Sequence, residues 1–302
     1  MYPDFLCIGA QKSGTTWLHD NLVQHPQIWL PPVKEIHYFD RPYDSPIARL
    51  FGRAVRLQKG RQHLRQTVWR FVTGRASIED LSWAVRYAWG RRSDSWYSSL
   101  FQQPSGIVTG EICPGYARLS PEVARHVGRL MPEAKIIYLL RHPIERAWSA
   151  AVMHFNDRGP RDYRLTDPRE IEEWLRRPKT LEHAGYADAI ERWRSVFGER
   201  MFIGFYDELR GNPGGLLGRI QRFLGVGEYL PEDVRSQRNP GNWTAIPDRF
   251  VPVLEQLFAE ELRRLHDLLG SPLTLDWLNR RYGTGSVVAR KSQPGPSRVV
   301  IS

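Results

Sequence analysis

Three short stretches of this sequence hold residues that could do chemistry together. The first is GAQKSGTTW, residues 9 to 17, where two glycines five apart enclose Lys12 and Ser13, and Thr15 and Thr16 follow the second glycine. It comes directly after the apolar run FLCI. A buried strand feeding a glycine loop that opens a helix aims backbone N–H groups and the positive helix end at an anion. Gly14 permits close approach, the threonine hydroxyls add donors, and Lys12 adds a cation. The second stretch is KEIHYFD, residues 34 to 40, in which Glu35 is a proton acceptor and His37 shares its face if the segment is extended. The third is RHPIERAWS, residues 141 to 149, which offers a guanidinium at Arg141 and a hydroxyl at Ser149, a pairing suited to a phosphate.

The position of the lysine restricts the ligand. In the triphosphate loop G-x-x-x-x-G-K-[ST] the lysine follows the second glycine and reaches the β- and γ-phosphates, and the next hydroxyl holds magnesium. Here Thr15 occupies that position and the only lysine of the loop is Lys12. The loop is therefore expected to hold a nucleotide whose terminal group is not a magnesium-bound phosphate, which disfavours a kinase. Cys7 and Cys113 have no metal-ligand spacing and form no disulfide framework, so no metal is expected.

These stretches need a scaffold, and the hydrophobic pattern supplies one. Residues 4 to 9 read as a buried strand and 14 to 24 as a helix with Leu18 and Leu22 on one face. SPEVARHVGRLMP, residues 120 to 132, has a serine cap, a proline in the first turn and an apolar stripe, and the apolar run at 134 to 140 follows as a buried strand. Residues 184 to 198 read as a helix, 200 to 209 as a strand and 214 to 226 as another helix. Alternation of this kind predicts an α/β fold, a three-layer parallel sheet, and the glycine loop after its first strand makes the expected core P-loop-like and nucleotide-binding. Residues 47 to 89 instead show apolar residues at helical spacing interleaved with arginines, which predicts a helical insertion over about 41 to 95. One domain is expected over 1 to 282, and the Gly-, Ser- and Pro-rich stretch at 283 to 302 reads as a mobile tail.

Composition narrows the class. The 302 residues are 41% hydrophobic, enough for a sizeable core, and the net charge of +10 favours anionic partners. Residues 41 to 94 contain twelve Lys/Arg against four Asp/Glu, so most of the excess sits in the insertion. No apolar run reaches the length of a membrane span, and MYPDFLCIGA lacks the pattern of a signal peptide, so a cytoplasmic location is expected.

With these residues in view, QKSGTTW after a first strand resembles the 5′-phosphosulfate loop of sulfotransferases that use 3′-phosphoadenosine 5′-phosphosulfate (PAPS). The stretch YLLRHPIERAWSAAVMHF, about 130 residues later, resembles the family's 3′-phosphate segment. The resemblance covers about residues 4 to 40 and 96 to 280. It implies that Lys12, Ser13, Gly14, Thr15 and Thr16 hold the 5′ end, that Arg141 and Ser149 hold the 3′-phosphate, and that Trp17 lies near adenine. Arg238, in RSQRNPGNW, matches the basic residue of a later loop that covers the 3′-phosphate.

For the base, the enzymes acting on phenols and steroids use a histidine in a K-T-H-L-P-like segment, whereas GEICPGY at residues 110 to 116 has none. The heparan sulfate enzymes use an acidic residue in a segment like E-V-H-F-F-D, which KEIHYFD resembles. The resemblance thus implies Glu35 as general base with Lys12 beside it on the leaving oxygen, and His37 binding acceptor or assisting. Glu111 stays open as an acceptor-side base. One departure is Ile112, which stands where the carbohydrate enzymes have a lysine in E-K-[ST]-P, so Lys34, an arginine of the insertion, or Lys12 alone must serve.

The implied activity is sulfonate transfer, without a metal, to a hydroxyl of a carbohydrate, glycolipid or natural product. The insertion is expected to form an acceptor-side lid: its arginines suit an anionic acceptor, and Trp69, Trp83, Tyr87 and Trp89 suit an apolar or sugar face. Its basic helices also allow peripheral contact with a membrane. A basic nucleic-acid or membrane-surface module is the alternative from charge alone, but it leaves both phosphate-binding stretches without a role, and no nucleic-acid partner is expected.

Overall fold

In this computed structural model the run FLCI becomes the middle of a sheet. The structure describes residues 1–40, 46–156, 163–235 and 245–282, with the backbone alone at 46–57 and Lys59. The stretch at 283–302 and Arg238 lie outside the described residues.

Five strands, β1 (Phe5–Gly9), β2 (Ile28–Trp29), β3 (Val108–Ile112), β4 (Lys135–Leu140) and β5 (Met201–Phe205), form a parallel sheet in the order β2-β3-β1-β4-β5. Side chains alternate between its faces, as the pleat requires. Leu6, Ile8, Ile136, Tyr138 and Leu140 enter one core, and Phe5, Cys7, Ile137 and Leu139 enter another. Burial on both faces is what keeps these strands nearly all apolar.

The helices are α1 (Thr15–Leu22), α2 (Pro46–Val72), α3 (Ile78–Trp89), α4 (Asp94–Ser99), α5 (Pro121–Leu130), α6 (Pro143–Asn156), α7 (Pro168–Leu175), α8 (Pro178–Glu182), α9 (Tyr186–Phe197), α10 (Tyr206–Gly211), α11 (Pro213–Leu224), α12 (Val251–Leu269) and α13 (Pro272–Asn279). Leu18 of α1, Leu209 of α10 and Leu217 of α11 cover the face of Phe5 and Cys7. Tyr97 of α4, Val127 of α5, Ala147 of α6, Ile190 of α9 and Leu254 of α12 cover the opposite face. The expected three layers result.

Two expectations are corrected. The strand expected over 200 to 209 stops at Phe205, and the chain turns at once into α10. Asp207 and Glu208 favour a helix start, and Glu208 Oε2 accepts from the Phe205 N–H at 2.9 Å. The segment 34 to 40 is not extended, because Glu35 and His37 adopt left-handed backbone with φ of 58° and 56°.

The insertion forms the helix pair α2–α3. Gly60 packs so closely that a Cβ there would lie 2.9 Å from Ala88 Cα. Ser77 and Asp80 make a reciprocal cap on α3, and the Trp83 indole donates to the Leu100 carbonyl at 2.9 Å, fastening the pair to the body.

Candidate active site

The loop after β1 sits at the carboxyl end of the central strand, where the chain's path across the sheet reverses direction and open α/β sheets place their ligands. Gly14 has φ of 92°, and a Cβ there would lie 2.6 Å from Leu209 Cδ1, so both conformation and space call for glycine. The N-terminus of α1 has no side-chain cap and no acid in its first turn, leaving its positive end available to an anion. The Ala10 N–H donates to the Leu139 carbonyl at 2.7 Å and ties the loop to β4. Ser13 and Thr15 are buried, while Lys34 Nζ donates to Thr16 Oγ1 at 2.9 Å. Lys34 therefore brings a second lysine to this helix end, a function open to it when position 112 is isoleucine.

Arg141 leaves the end of β4 and backs the same loop. Its Nη1 donates to the Lys12 carbonyl at 3.3 Å, its Nε lies 3.5 Å from Glu145, and its guanidinium stacks 4.6 Å above the Tyr206 ring. Ser149 lies two turns into α6 and is half-buried. Between them, Arg146 is fully buried; Nη2 donates to the Thr180 carbonyl at 3.1 Å, and Nε and Nη1 have no hydrogen-bond partner among the described residues. An interior cation with no carboxylate partner among the described residues adds to the positive field near Arg141. His183 shows the environment: burial first, then Arg118, Arg146 and Lys179, lower its pKa to about 3.

Trp17 is a core residue here, 5% exposed, and its indole donates to the Val234 carbonyl at 2.7 Å. That bond ties α1 to the segment leading into 236–244, the stretch that contains Arg238 and lies outside the described residues.

The segment 34 to 40 brings three acid–base groups together without being a strand. His37 Nδ1 lies 2.6 Å from Asp40 Oδ2, and His37 Nε2 lies 3.3 Å from Glu35 Oε2. Asp40 had no assigned role in the sequence; the signal was its place three residues after His37 in KEIHYFD. Glu111 fixes this loop from beneath. It is 1% exposed, its carboxylate accepts from the Ile36 N–H at 2.9 Å and from the Tyr97 hydroxyl at 2.6 Å, and the Tyr116 hydroxyl donates to it while accepting from the Tyr38 N–H at 2.9 Å. Backbone amides on both sides of His37 are thereby held. Burial raises the Glu111 pKa to about 7, against hydrogen bonds from Tyr97, Tyr116 and Ile36 that favour the charged form. Arg92 closes the loop from the other side, donating to the His37 carbonyl and lying 5.4 Å above the Tyr38 ring.

The Asp40 hydrogen bond, and then that of Glu35, raise the His37 pKa from 6.5 to about 9. His37 is thus a cation at neutral pH, donating from both nitrogens. Stabilisation from a raised pKa is complete below the unfolded value of 6.5 and is lost as pH rises through about 9. Asp40→Asn removes the larger cause, so the folded pKa falls and this loss moves to lower pH. The alkaline limb of kcat and of thermal stability should shift down together, and an unshifted limb in both would overturn this reading of His37.

His37, Asp40 and Cys113 also present a nitrogen, an oxygen and a sulfur within 4.8 Å of one another. Metal ligands must be deprotonated. Burial raises the Cys113 pKa and the Asp40 and Glu35 hydrogen bonds raise that of His37, so a cation bound by this trio would have to displace both protons.

Comparison with known proteins decides the class, for the model of the family described as "Sulfotransferase family" matches residues 3–229. The chain belongs to the sulfotransferase family. Among its relatives, the human bifunctional heparan sulfate N-deacetylase/N-sulfotransferase 3 is 26% identical over 235 residues, covering 74% of this chain and 22% of that protein. Human heparan sulfate glucosamine 3-O-sulfotransferase 3B1 is 24% identical over 235 residues, covering 76% of this chain and 48% of that protein. The chain thus spans well under two thirds of the length of either. A crystal structure of a sulfotransferase from Alicyclobacillus acidocaldarius superposes with a TM-score of 0.61 at 25% identity, covering 93% of this chain and all of the other. The five-stranded parallel sheet of this sulfotransferase is accordingly the P-loop-like fold of its relatives.

Proposed function

We propose that this sulfotransferase takes its sulfonyl group from PAPS and passes it to a hydroxyl of a carbohydrate, glycolipid or amphipathic natural product. The observation that supports this reading is that Arg141, which follows β4, donates to the backbone of Lys12 in the loop after β1, so that the two stretches assigned by resemblance to the two ends of the donor, 129 residues apart, meet.

The residues present fit that donor. Gly14 gives the loop the positive φ it needs where a Cβ would strike Leu209, the N-terminus of α1 is uncapped, and Arg146 is a buried cation with nitrogens unpartnered among the described residues. Lys12, Thr15, Thr16 and Lys34 would hold the 5′ end, and Arg141 and Ser149 the 3′-phosphate. When bound, PAPS supplies an activated sulfonyl group on a phosphate leaving group. Lys34, at Thr16, and Lys12, whose Nζ lies 3.6 Å from Met153 Sδ and would turn toward the donor, would stabilise the charge that grows on the leaving oxygen. Glu35 takes the proton of the attacking hydroxyl. The His37 imidazolium orients the Glu35 carboxylate, and Asp40 orients His37. Glu111, with its oxygens engaged by Tyr97, Tyr116 and Ile36, supports this loop and is placed to act through it. The named relatives act on heparan sulfate, which supports a sugar acceptor here, reached past the α2–α3 pair as a lid.

Adenosine 3′,5′-bisphosphate (PAP), the product of the donor, should raise the Tm without added metal, and ATP with magnesium should raise it less. Equal or greater stabilisation by ATP with magnesium would return the kinase reading. A screen of hydroxylated acceptors with labelled PAPS then identifies the acceptor.

A further inference from the structure

The end of the α2–α3 pair is built unlike the rest of the surface. Around the turn that joins the helices, Val68, Trp69, Phe71, Val72 and Ile78 stand exposed, Trp69 by 58%, Val72 by 78% and Ile78 by 66%. They are close in sequence and share one end of the pair, since α2 finishes at Val72 and α3 begins at Ile78. Five large apolar side chains on one projecting turn are a patch, not the scatter normal on a soluble surface.

The same end is basic. Arg70 and Arg75 are exposed at this end, with Arg65 and then Arg61 exposed farther back along α2 toward the root where Gly60 meets Ala88, and residues 61 to 78 contain no carboxylate. No ion pair engages these four arginines among the described residues. Arg75 lies 5.6 Å above the Trp69 ring, so its charge sits at the edge of the apolar patch. Glu79 and Asp80 follow Ile78 and are both exposed, the Asp80 carboxylate being engaged as the cap of α3, so the arginines outnumber the carboxylates at this end without being alone there.

We propose that this turn is a docking tip for an anionic lipid bilayer. Trp69, Phe71, Val72 and Ile78 seat at the boundary between headgroups and acyl chains, and Arg65, Arg70 and Arg75 pair with lipid phosphates. The mixture of indole, aliphatic side chains and arginines is the composition of an interfacial anchor, whose apolar part gains by burial and whose cations gain by the negative surface. Nucleic acid would match the arginines but leave Val72 and Ile78 unsatisfied. A second copy would cover the apolar residues, but a two-fold interface would bring together a surface on which arginines outnumber the carboxylates Glu79 and Asp80. None of the described helices is long and apolar enough to cross a membrane, so the contact is peripheral. The root of the pair is fixed, because Arg92 donates to the His37 carbonyl, and α3 separates tip from root by about 18 Å. Docking therefore holds the active-site mouth at a set height above the bilayer.

The test is co-sedimentation of the full chain with vesicles of phosphatidylcholine alone and with about 30% phosphatidylserine added. Binding should require the anionic lipid and weaken as salt is raised. Trp69→Ser with Ile78→Ser should lower the partition coefficient by at least about tenfold. Arg70→Glu with Arg75→Glu should lower it by about fivefold or more per residue. Stabilisation by PAP should be unchanged in both variants, which shows that they fold. No binding to anionic vesicles, or binding that survives both pairs of substitutions, overturns the proposal. So does a lipid-free dimer, seen by light scattering, that Trp69→Ser with Ile78→Ser dissociates.

Discussion

Glu35→Gln should lower kcat by about two to four orders of magnitude and leave PAP affinity unchanged, the expected effect of deleting a general base. The change preserves shape, and glutamine tolerates the left-handed backbone at this position no worse than glutamate. An amide oxygen can still accept from His37 Nε2, so loop geometry survives while the proton acceptor is lost. Single-turnover kinetics with labelled PAPS separate the chemical step from product release. Near-normal turnover would move the base elsewhere. His37 is then a weak substitute, since it is already protonated at neutral pH, and Glu111 lies beneath the loop with its oxygens engaged.

Arg141→Ala should weaken PAP binding by about 1 to 3 kcal/mol through loss of a charge-assisted pair. Adenosine 5′-phosphate is the control. Arg141 also donates to the Lys12 carbonyl and stacks on Tyr206, so truncation could loosen the loop as a whole. If loop support dominates, both nucleotides weaken equally; if Arg141 reads the 3′-phosphate, only PAP does. Calorimetric titration of the two nucleotides decides between these outcomes, and equal losses would remove Arg141 from the 3′ site.

Local pattern was enough wherever one element makes its own signal. The loop after β1, the strand β4 with its Arg-x-Pro ending and the helix α5 with its Ser120 cap could be read from periodicity and end residues alone. Strand β2 could not, being two residues long and defined only by pairing with Val108 and Thr109 of β3. Strand β3 also left little trace, because its centre is Gly110 and Glu111, a poor β sequence on its own. The active-site loop was legible in residue type but not in shape. Extended backbone was expected to align Glu35 with His37; left-handed turns do so instead, held by Glu111 from more than seventy positions away. No local pattern reports such a bond. At Ile112 the sequence showed only a missing lysine, with Lys34 among the candidates to replace it; that Lys34 reaches Thr16 depends on the fold.

The central place of β1 has a consequence for how the protein folds. Leu6 pairs with Glu111 on one side and with Ile136 on the other, so the strand beneath the donor loop is completed by contacts across more than a hundred residues. Parallel pairing over such spans carries a large loop-closure cost and comes slowly. The helix pair α2–α3 lies inside the first of those spans and can form from its own local contacts before the sheet closes. The loop after β1, by contrast, is tied to β4 by the Ala10 amide and so depends on the assembled sheet. A ligand held there favours only the assembled state, and hydrogen exchange at the β1 amides should follow global unfolding, slowing in step with nucleotide concentration.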